Sequence, residues 1–449
     1  MIYSPCRLAK IIRQEVRFSN IVERLQGFKE RQMKSHGFLF EKLIDEQNIL
    51  SAIKFSSRRK RDRDDVCHVL ENTETYIKKL QTLLIEKKYK VQTHKAVKIF
   101  DETSKKDRFI IQPKYVYEQI IHHAVIQVLQ PIFMHGMYDF SCGSIPGRGG
   151  VYGKRYIEKY IQIHNDASIK YCLKLDIKHF YQTVDIDILK AKFKKIIRDE
   201  RFLDVLYYII DSNIAECDGE LKNMGLPIGF YTSQWFANFY LQEFDHFIKE
   251  QLHIKCYVRY ADDIVIFGSN KRQLHKDFLA IKEYLSTIHL EVKQNWQVFK
   301  FDYINKKGKR TGRPLDFMGF KFYRDKTTLR KHIFLSAIRT ARRISKKEKI
   351  TWFDACQIMS YTGWFKHTDT YKAFEKYITP CVNITQCKEV IKAKQKRIEN
   401  KEKKRCSNLK NQKVLKNQSK LTTKAPPAES TSESIVQLSL FPIQPETKK

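Results

Sequence analysis

The sequence lacks the cysteine pairs, long apolar runs and phosphate-binding loops that mark several common protein classes. Its ten cysteines include no Cys-x-x-Cys pair, which argues against zinc-finger spacing and a disulfide framework. No run of 18 apolar residues is present, so no membrane-spanning helix and no membrane partner are predicted. The chain has no Gly-x-x-x-x-Gly-Lys loop of an ATP site and no internal repeat.

The first residues also lack the apolar core and the cleavage site of a signal peptide. We therefore expect a cytoplasmic protein. Its length of 449 residues suggests about three folding units, and a hydrophobic content of 42% is ample for a core.

Acidic residues are scarce relative to basic ones. The chain has 84 Lys and Arg against 50 Asp and Glu, a formal net charge of +34. A field of this sign and size predicts a polyanionic partner, for which nucleic acid is the natural choice.

The most informative stretch is Tyr257 to Phe267. Its two β-prone runs flank Asp262 and Asp263, a pattern that predicts a β-hairpin with its carboxylates at the turn. Adjacent carboxylates repel each other, and a bound Mg²⁺ relieves this repulsion because it takes hard oxygen ligands. A solvated turn is the plain alternative reading of an Asp-Asp pair.

A third carboxylate, Asp176, ends another largely apolar run, Cys172 to Leu175. Three aspartates from two strand ends could hold a pair of metal ions for in-line nucleotidyl transfer. The sequence therefore predicts a catalytic centre made of Asp176, Asp262 and Asp263.

Three motifs in order resemble those of reverse transcriptases. They are Leu175-Asp-Ile-Lys-His-Phe-Tyr181, Gly225-Leu-Pro-Ile-Gly-Phe-Tyr-Thr-Ser-Gln234 and Tyr260-Ala-Asp-Asp263. The resemblance runs from about Lys34 to Lys376. It implies RNA-directed DNA synthesis and an α+β right-hand polymerase fold with fingers, a ferredoxin-like palm and a helical thumb, followed by a disordered basic tail.

The domain boundaries expected from this resemblance and from composition divide the chain into six parts. They are an N-terminal helical extension (1–33), fingers interleaved with the first part of the palm (34–170), the catalytic palm (171–325), the thumb (326–384), a basic low-complexity linker (385–434) and a predicted clamp-binding peptide (435–442).

The resemblance also implies roles for individual residues. Two Mg²⁺ ions would be bound by Asp176, Ile177, Asp262 and Asp263. The incoming deoxynucleotide would contact Arg108, Lys106, Tyr181, Ile228, Gly229 and Gln234. Template RNA and the primer–cDNA duplex are the implied partners.

Some of these roles have plain alternatives. Lys106 could be no more than part of a charged hairpin tip, and Tyr181 could be a core aromatic rather than a ring that excludes a ribose 2′-hydroxyl. Lys293 is a candidate general acid for the leaving pyrophosphate, with a solvated surface role as the alternative.

The motif around Ile228 resembles diversity-generating retroelements, because most reverse transcriptases carry Gln at that position and Ser-Pro where Ser233-Gln234 stands. That subclass implies error-prone copying at template adenines and a small basic accessory protein as partner. The alternatives are a defence-associated or group II intron-like reverse transcriptase, and an RNA-binding scaffold with an inactive palm.

Near the end, Gln437-Leu-Ser-Leu-Phe441 resembles the peptide by which bacterial DNA polymerases dock on the sliding clamp. Gln437 would form hydrogen bonds beside an apolar pocket filled by Leu438, Leu440 and Phe441. A bacterial sliding clamp is therefore a further predicted partner.

Apolar periodicity predicts several long helices. They are expected over Thr73 to Lys88, Tyr115 to Phe133 with a stop near Pro131, Val151 to Ile163, and Leu189 to Ile209. Short strands are expected at Val97–Phe100 and Phe109–Gln112, joined as a basic hairpin.

Overall fold

A computed structural model describes residues 35–90, 93–101, 106–164, 167–217 and 219–400. The described residues divide into two units, the first ending at Ile391 and the second beginning at Lys392. In the second unit the described residues, 392–400, are helical. The predicted N-terminal extension, the linker beyond residue 400 and the clamp-binding peptide with Gln437, Leu438, Leu440 and Phe441 lie outside the described residues.

The first described part is helical and includes the helix predicted over Thr73 to Lys88. Its helices are α1 Leu39–Ile44, α2 Glu46–Ser56, α3 Asp64–Glu71 and α4 Thr73–Ile85. Asp45 begins α2 by accepting a hydrogen bond from the N–H of Asn48 at 3.0 Å, which satisfies one unpaired amide of the first turn. The buried faces of α1 and α2 pack on a later helix, Ile120–Gly136.

The predicted basic hairpin is confirmed and is longer than expected. Its strands are β1 Thr93–Asp101 and β2 Lys106–Ile111. With β4 Ile214–Cys217 and β5 Glu220–Asn223 they form a four-stranded sheet in the order β2-β1-β4-β5.

Two helix predictions need correction. A π-helical turn, Tyr115–Gln119, leads into α5 Ile120–Gly136, which continues past Pro131. Proline disrupts a helix interior mainly by a local clash and one lost hydrogen bond, and the buried apolar face of α5 outweighs that cost. The predicted helix Leu189 to Ile209 is two helices, α8 Ile186–Ile196 and α9 Glu200–Asp211, since Asp199 caps the start of α9.

The central sheet carries the carboxylate motifs. Its strands are β3 Tyr171–Asp176, β6 Cys256–Tyr260, β7 Asp263–Gly268 and β8 Gln297–Lys300, in the antiparallel order β6-β7-β3-β8. Buried side chains along β3, β6 and β7 belong to the main hydrophobic core, which explains their apolar runs. The predicted hairpin around Asp262 is thereby confirmed.

The remaining helices of the first unit surround this sheet or follow it. They are α6 Gly150–Ile163, α7 Phe180–Thr183, α10 Tyr231–Tyr240, α11 Gln242–His246 with a π-helical turn Phe247–Gln251, α12 Lys271–Thr287, α13 Lys331–Ser345, α14 Trp352–Lys366 and α15 Tyr371–Tyr377. Among them, α12 packs against β3, β7 and β8.

Two small sheets follow β8. One is the hairpin β9 Tyr303–Ile304 and β10 Arg310–Thr311, and the other is the three-stranded sheet β11 Leu315–Phe317, β12 Phe320–Phe322 and β13 Thr327–Leu329. Across the described ranges, no helix combines the length and the apolar composition needed to cross a membrane.

Candidate active site

The turn between β6 and β7 holds two of the predicted carboxylates. Tyr260 and Asp263 are the last paired residues of the hairpin, so Ala261 and Asp262 form its apex. Ala261 has a left-handed backbone, with φ of 55°, which is an uncommon state for a residue with a Cβ atom. A Cβ on Gly143 would lie 2.5 Å from the Ala261 nitrogen, so the chain packs tightly against this apex.

Strand β3 brings the third carboxylate to the same place. Asp176 is the direct cross-strand partner of Asp263, and the N–H of Ile177 donates to the carbonyl of Asp262 at 3.2 Å. Side chains of directly opposed residues in an antiparallel pair stand about 5 Å apart. The three aspartates singled out from sequence therefore lie together at one end of the central sheet.

Burial and mutual repulsion perturb two of these carboxylates. The pKa of Asp262 is raised to about 7, first by burial and then by the charges of Asp176 and Asp263. The Asp262 carboxyl also shares a hydrogen bond with Asp176. The pKa of Asp263 is raised by burial and by Asp176, against a smaller opposing effect of neighbouring cations that include Lys174.

Lys293 neutralises part of this charge directly. Its Nζ donates to both carboxylate oxygens of Asp176 at 2.6 Å, and its backbone N–H donates to the Asp176 carbonyl at 2.8 Å. The bridge between Ile177 and Val292 brings these residues together. The Lys293 side chain is 32% exposed and pairs with Asp176, so its ammonium lies beside the carboxylates, and its role as general acid stays a prediction.

A buried network that sequence reasoning missed supports the turn. Arg259 is fully buried on β6 and donates to both oxygens of Asp245, at 2.8 and 2.6 Å. The same guanidinium reaches Asn238 at 3.1 Å and the carbonyl of Ala261 at 3.2 Å. Tyr257 also donates to Asp245, at 2.6 Å. A buried charge needs such partners. The position of Arg259 inside an apolar strand was therefore the feature of the sequence that could have indicated a buried acidic partner.

The motif loop before α10 is tied to the other sheet. The carbonyl of Ile228 accepts from the N–H of Ile111 on β2 at 2.9 Å. Gly229 has φ of 119°, and a Cβ there would collide with the Ile111 carbonyl, so only glycine fits. Arg108 lies exposed on β2, three residues before Ile111, while Gln234 lies exposed on α10.

Tyr181 lies near the carboxylates on the short helix α7. The side chain is partly buried, and its pKa is raised by burial and by the charge of Asp262. Its carbonyl accepts from the N–H of Leu226 at 2.6 Å, which joins the first motif to the start of the motif loop. The side chain of Lys106 lies outside the described residues, although its backbone belongs to β2.

The donor set suits a hard divalent cation. Burial and the charges of Asp176 and Asp263 raise the pKa of Asp262, and a bound cation would relieve that repulsion. Ile177 offers only a backbone oxygen. Within the described ranges, no three His, Cys, Asp or Glu side chains already enclose a metal-sized site, and the Lys293 ammonium supplies the positive charge instead.

Comparison with known proteins identifies the family. Residues 85–322 match the reverse transcriptase (RNA-dependent DNA polymerase) family, which is more than half of the chain and includes all three aspartates. The chain therefore belongs to this family.

Two curated relatives from Escherichia coli match shorter segments. Retron Ec73 reverse transcriptase is 28% identical over 152 residues, covering 32% of this chain and 48% of that protein. Protein YkfC of strain K12 is 22% identical over 135 residues, covering 30% and 35%. The chain thus spans about half the length of the first relative and a third of the second.

Solved structures of telomerase are also similar. Apo telomerase from Candida tropicalis, truncated from its C-terminal domain, is 16% identical with a TM-score of 0.40, over 56% of this chain and 59% of that one. Telomerase from Candida albicans in complex with the TWJ fragment of telomeric RNA is 12% identical with a TM-score of 0.40, over 65% and 55%.

The raised pKa of Asp262 predicts a specific dependence of stability on pH. The Asp262 carboxyl has a pKa of about 7 in the folded state and of about 3.9 in the unfolded chain. Between these values the folded state therefore binds more protons than the unfolded chain. Stability due to this group therefore falls as pH rises from about 4 to about 7. In metal-free protein, Asp262→Asn should raise the thermal midpoint over wild type more at pH 8 than at pH 5.

The measurement is thermal unfolding of both proteins in EDTA. Adding Mg²⁺ should narrow the difference at pH 8, because a cation favours the ionised carboxylates. An equal difference between the two proteins at pH 5 and pH 8 would contradict the assigned shift.

Proposed function

We propose that the chain is an RNA-directed DNA polymerase that makes cDNA from a template RNA. The observation that carries this proposal is the register of β3 on β7, which sets Asp176 opposite Asp263 and beside Asp262. Family membership over residues 85–322 supports it. On this proposal residues 34–170 form the fingers, 171–325 the palm and 326–384 the thumb of a right-hand fold.

Asp176, Asp262 and Asp263 would hold two Mg²⁺ ions, with Ile177 adding at most its carbonyl oxygen. Such ions, when bound, lower the pKa of the primer 3′-hydroxyl and neutralise the triphosphate. Lys293 would leave Asp176 as the carboxylates take up metal. Its ammonium Nζ would then be free to donate a proton to the leaving pyrophosphate.

The motif loop and β2 would form the nucleotide site. Arg108 and Lys106 would contact the triphosphate, since basic groups stabilise charge that builds up in phosphoryl transfer. Tyr181 would lie under the sugar and exclude a 2′-hydroxyl. The hydrogen bond from the N–H of Ile111 to the carbonyl of Ile228 supports this arrangement, because it joins the loop to the strand that carries Arg108.

Primer extension tests the polymerase proposal. Wild-type protein with Mg²⁺, dNTPs and a primed RNA template should extend the primer. Asp262→Asn should lower the rate on the order of 10³-fold, the scale on which one preorganised electrostatic contact affects a transition state. No extension by the wild type would favour the RNA-binding scaffold instead, and extension by Asp262→Asn at the wild-type rate would remove Asp262 from the catalytic centre.

Among reverse transcriptases, we propose the diversity-generating retroelement class, which acts with a small basic accessory protein. The apolar side chain of Ile228 supports this choice. Where an amide would offer hydrogen bonds to the nucleotide, this half-buried hydrocarbon offers none, so discrimination between bases is weaker. Errors would then concentrate at template adenines.

Ile228→Gln tests that idea. Restoring one polar contact is expected to lower misincorporation opposite adenine by roughly two- to tenfold, the range set by one net hydrogen bond. The error frequency comes from sequencing cDNA made on a defined RNA. Ile228→Leu keeps an apolar side chain of equal volume and should leave the errors unchanged. Equal wild-type accuracy at all four template bases would remove this subclass but not the polymerase.

A retron-type or other defence-associated enzyme is the second candidate. The match to retron Ec73 reverse transcriptase favours it over a group II intron-like enzyme. Copying of a co-expressed structured RNA without adenine-specific errors would support this candidate.

We also propose that Gln437, Leu438, Leu440 and Phe441 dock on a bacterial sliding clamp. Leu440→Ala combined with Phe441→Ala should abolish binding of the full chain to purified clamp, measured by surface plasmon resonance, because the apolar pocket would be left unfilled. Ile435→Ala with Val436→Ala removes similar apolar side chains just before Gln437, outside the four docking residues, and should bind like wild type. Undiminished binding by the first variant would discard the proposal.

A further inference from the structure

The hairpin β9–β10 has no part in the proposed polymerase site. It projects between β8 and β11 and ends in the tip Lys306-Lys307-Gly308-Lys309. All three lysines are exposed. We refer to Lys306, Lys307 and Lys309 as the tip lysines.

The tip has a defined shape. The side-chain oxygen of Asn305 accepts from the N–H groups of Lys307 and Lys309, at 3.0 and 2.9 Å. The Asn305 N–H donates to the carbonyl of Lys309, and its carbonyl accepts from Gly308, each at 2.9 Å. The single side chain of Asn305 thus holds the backbone beneath the tip lysines.

Acidic residues near the hairpin form ion pairs with Arg310 at its base, not with the tip lysines. Arg310 pairs with the buried Asp302 at 2.5 Å and with Asp325 at 2.7 Å. Asp302 also accepts from the N–H of Arg324 at 2.9 Å, which anchors the hairpin to the following sheet. Across the described ranges, no carboxylate forms an ion pair with any tip lysine.

The surface at the base of the hairpin is also basic and carries aromatic rings. Lys300 lies over the Tyr303 ring at 4.2 Å, and Arg313 lies over the Phe299 ring at 3.8 Å. Lys300 and Arg313 are both exposed. Cations interleaved with aromatic rings on one surface are typical of nucleic-acid contacts.

This basic surface lies away from the carboxylates. Lys300 pairs with Tyr171, at the start of β3, whereas Asp176 ends the same strand. Five residues of strand separate the two points by about 16 Å. The N–H of Phe301 donates to the Lys170 carbonyl at 2.9 Å, which fixes the hairpin at the far end of the sheet.

We propose that the β9–β10 hairpin binds the sugar–phosphate backbone of a nucleic-acid segment outside the polymerase site. Lysines without acidic partners on a fixed turn suit phosphate contacts, which hold a strand without reading its sequence. Binding at this surface needs neither dNTPs nor an intact catalytic centre. The inference therefore stands or falls separately from the proposed polymerase function.

The test compares two triple variants of the full chain. Lys306→Gln, Lys307→Gln and Lys309→Gln remove the tip charges. The matched control, Lys271→Gln, Lys276→Gln and Lys282→Gln, removes three exposed charges from α12. Binding of a structured RNA hairpin and of a DNA duplex is measured by fluorescence anisotropy, without dNTPs, over a range of salt concentrations.

The tip variant should bind about tenfold more weakly than wild type, and its plot of log K against log salt should be shallower by about 2 to 3, as expected for three lost phosphate contacts. The control should stay near wild type. A loss confined to RNA would identify structured RNA as the ligand, and an equal loss with both probes would identify the shared backbone.

A second variant separates charge from shape. Asn305→Ala keeps every charge but removes the two hydrogen bonds below the tip, so it should weaken binding severalfold with an unchanged salt slope. Primer extension by both variants on a short annealed primer–template should remain at the wild-type rate. Equal losses in the tip variant and the control, or unchanged binding to both probes, would overturn the proposal and leave an acidic protein as the occupant of this surface.

Discussion

The antiparallel register of β3 on β7 is the constraint on which the site depends. A slip of one residue would turn each side chain to the opposite face of the sheet. Leu173 and Leu175 share one buried face of β3, so such a slip would turn them to the face that carries Lys174 and Asp176. The same packing that holds the strand therefore places Asp176 opposite Asp263, and burial at this end raises the carboxylate pKa values.

The turn itself depends on an ion pair behind it. Arg259 on β6 joins Asp245 on α11 and Asn238 on α10, and those helices follow the motif loop that contacts β2. A buried ion pair adds little net stability but is costly to break, so it enforces one arrangement of its elements. The carboxylate turn and the loop around Ile228 are thus positioned by one connected set of contacts.

Charge is distributed unevenly over the chain. The chain carries a net charge of +34, whereas its site brings three carboxylates together, and Lys293 pairs with one of them, Asp176. At the far end of the same sheet, the acids near β9 and β10 pair with Arg310. The tip lysines therefore remain positive, and the protein presents phosphate-binding charge on a surface separate from its carboxylates.

The local pattern of apolar residues was enough to predict the hairpin at Asp262, the strands β1 and β2 and most helices, because this periodicity depends only on residues close in sequence. The motifs also identified the three aspartates as one group. Continuation of α5 through Pro131 and the break between α8 and α9 depended on packing and capping instead.

Tertiary structure alone decided the partners of charged side chains. Nothing near Lys293 in sequence indicates Asp176, and nothing near Arg259 indicates Asn238, since each contact joins distant segments. The sequence determined which residues carry the chemistry. The tertiary structure decided which charged side chains pair with each other, because long-range strand pairing sets the distances between them.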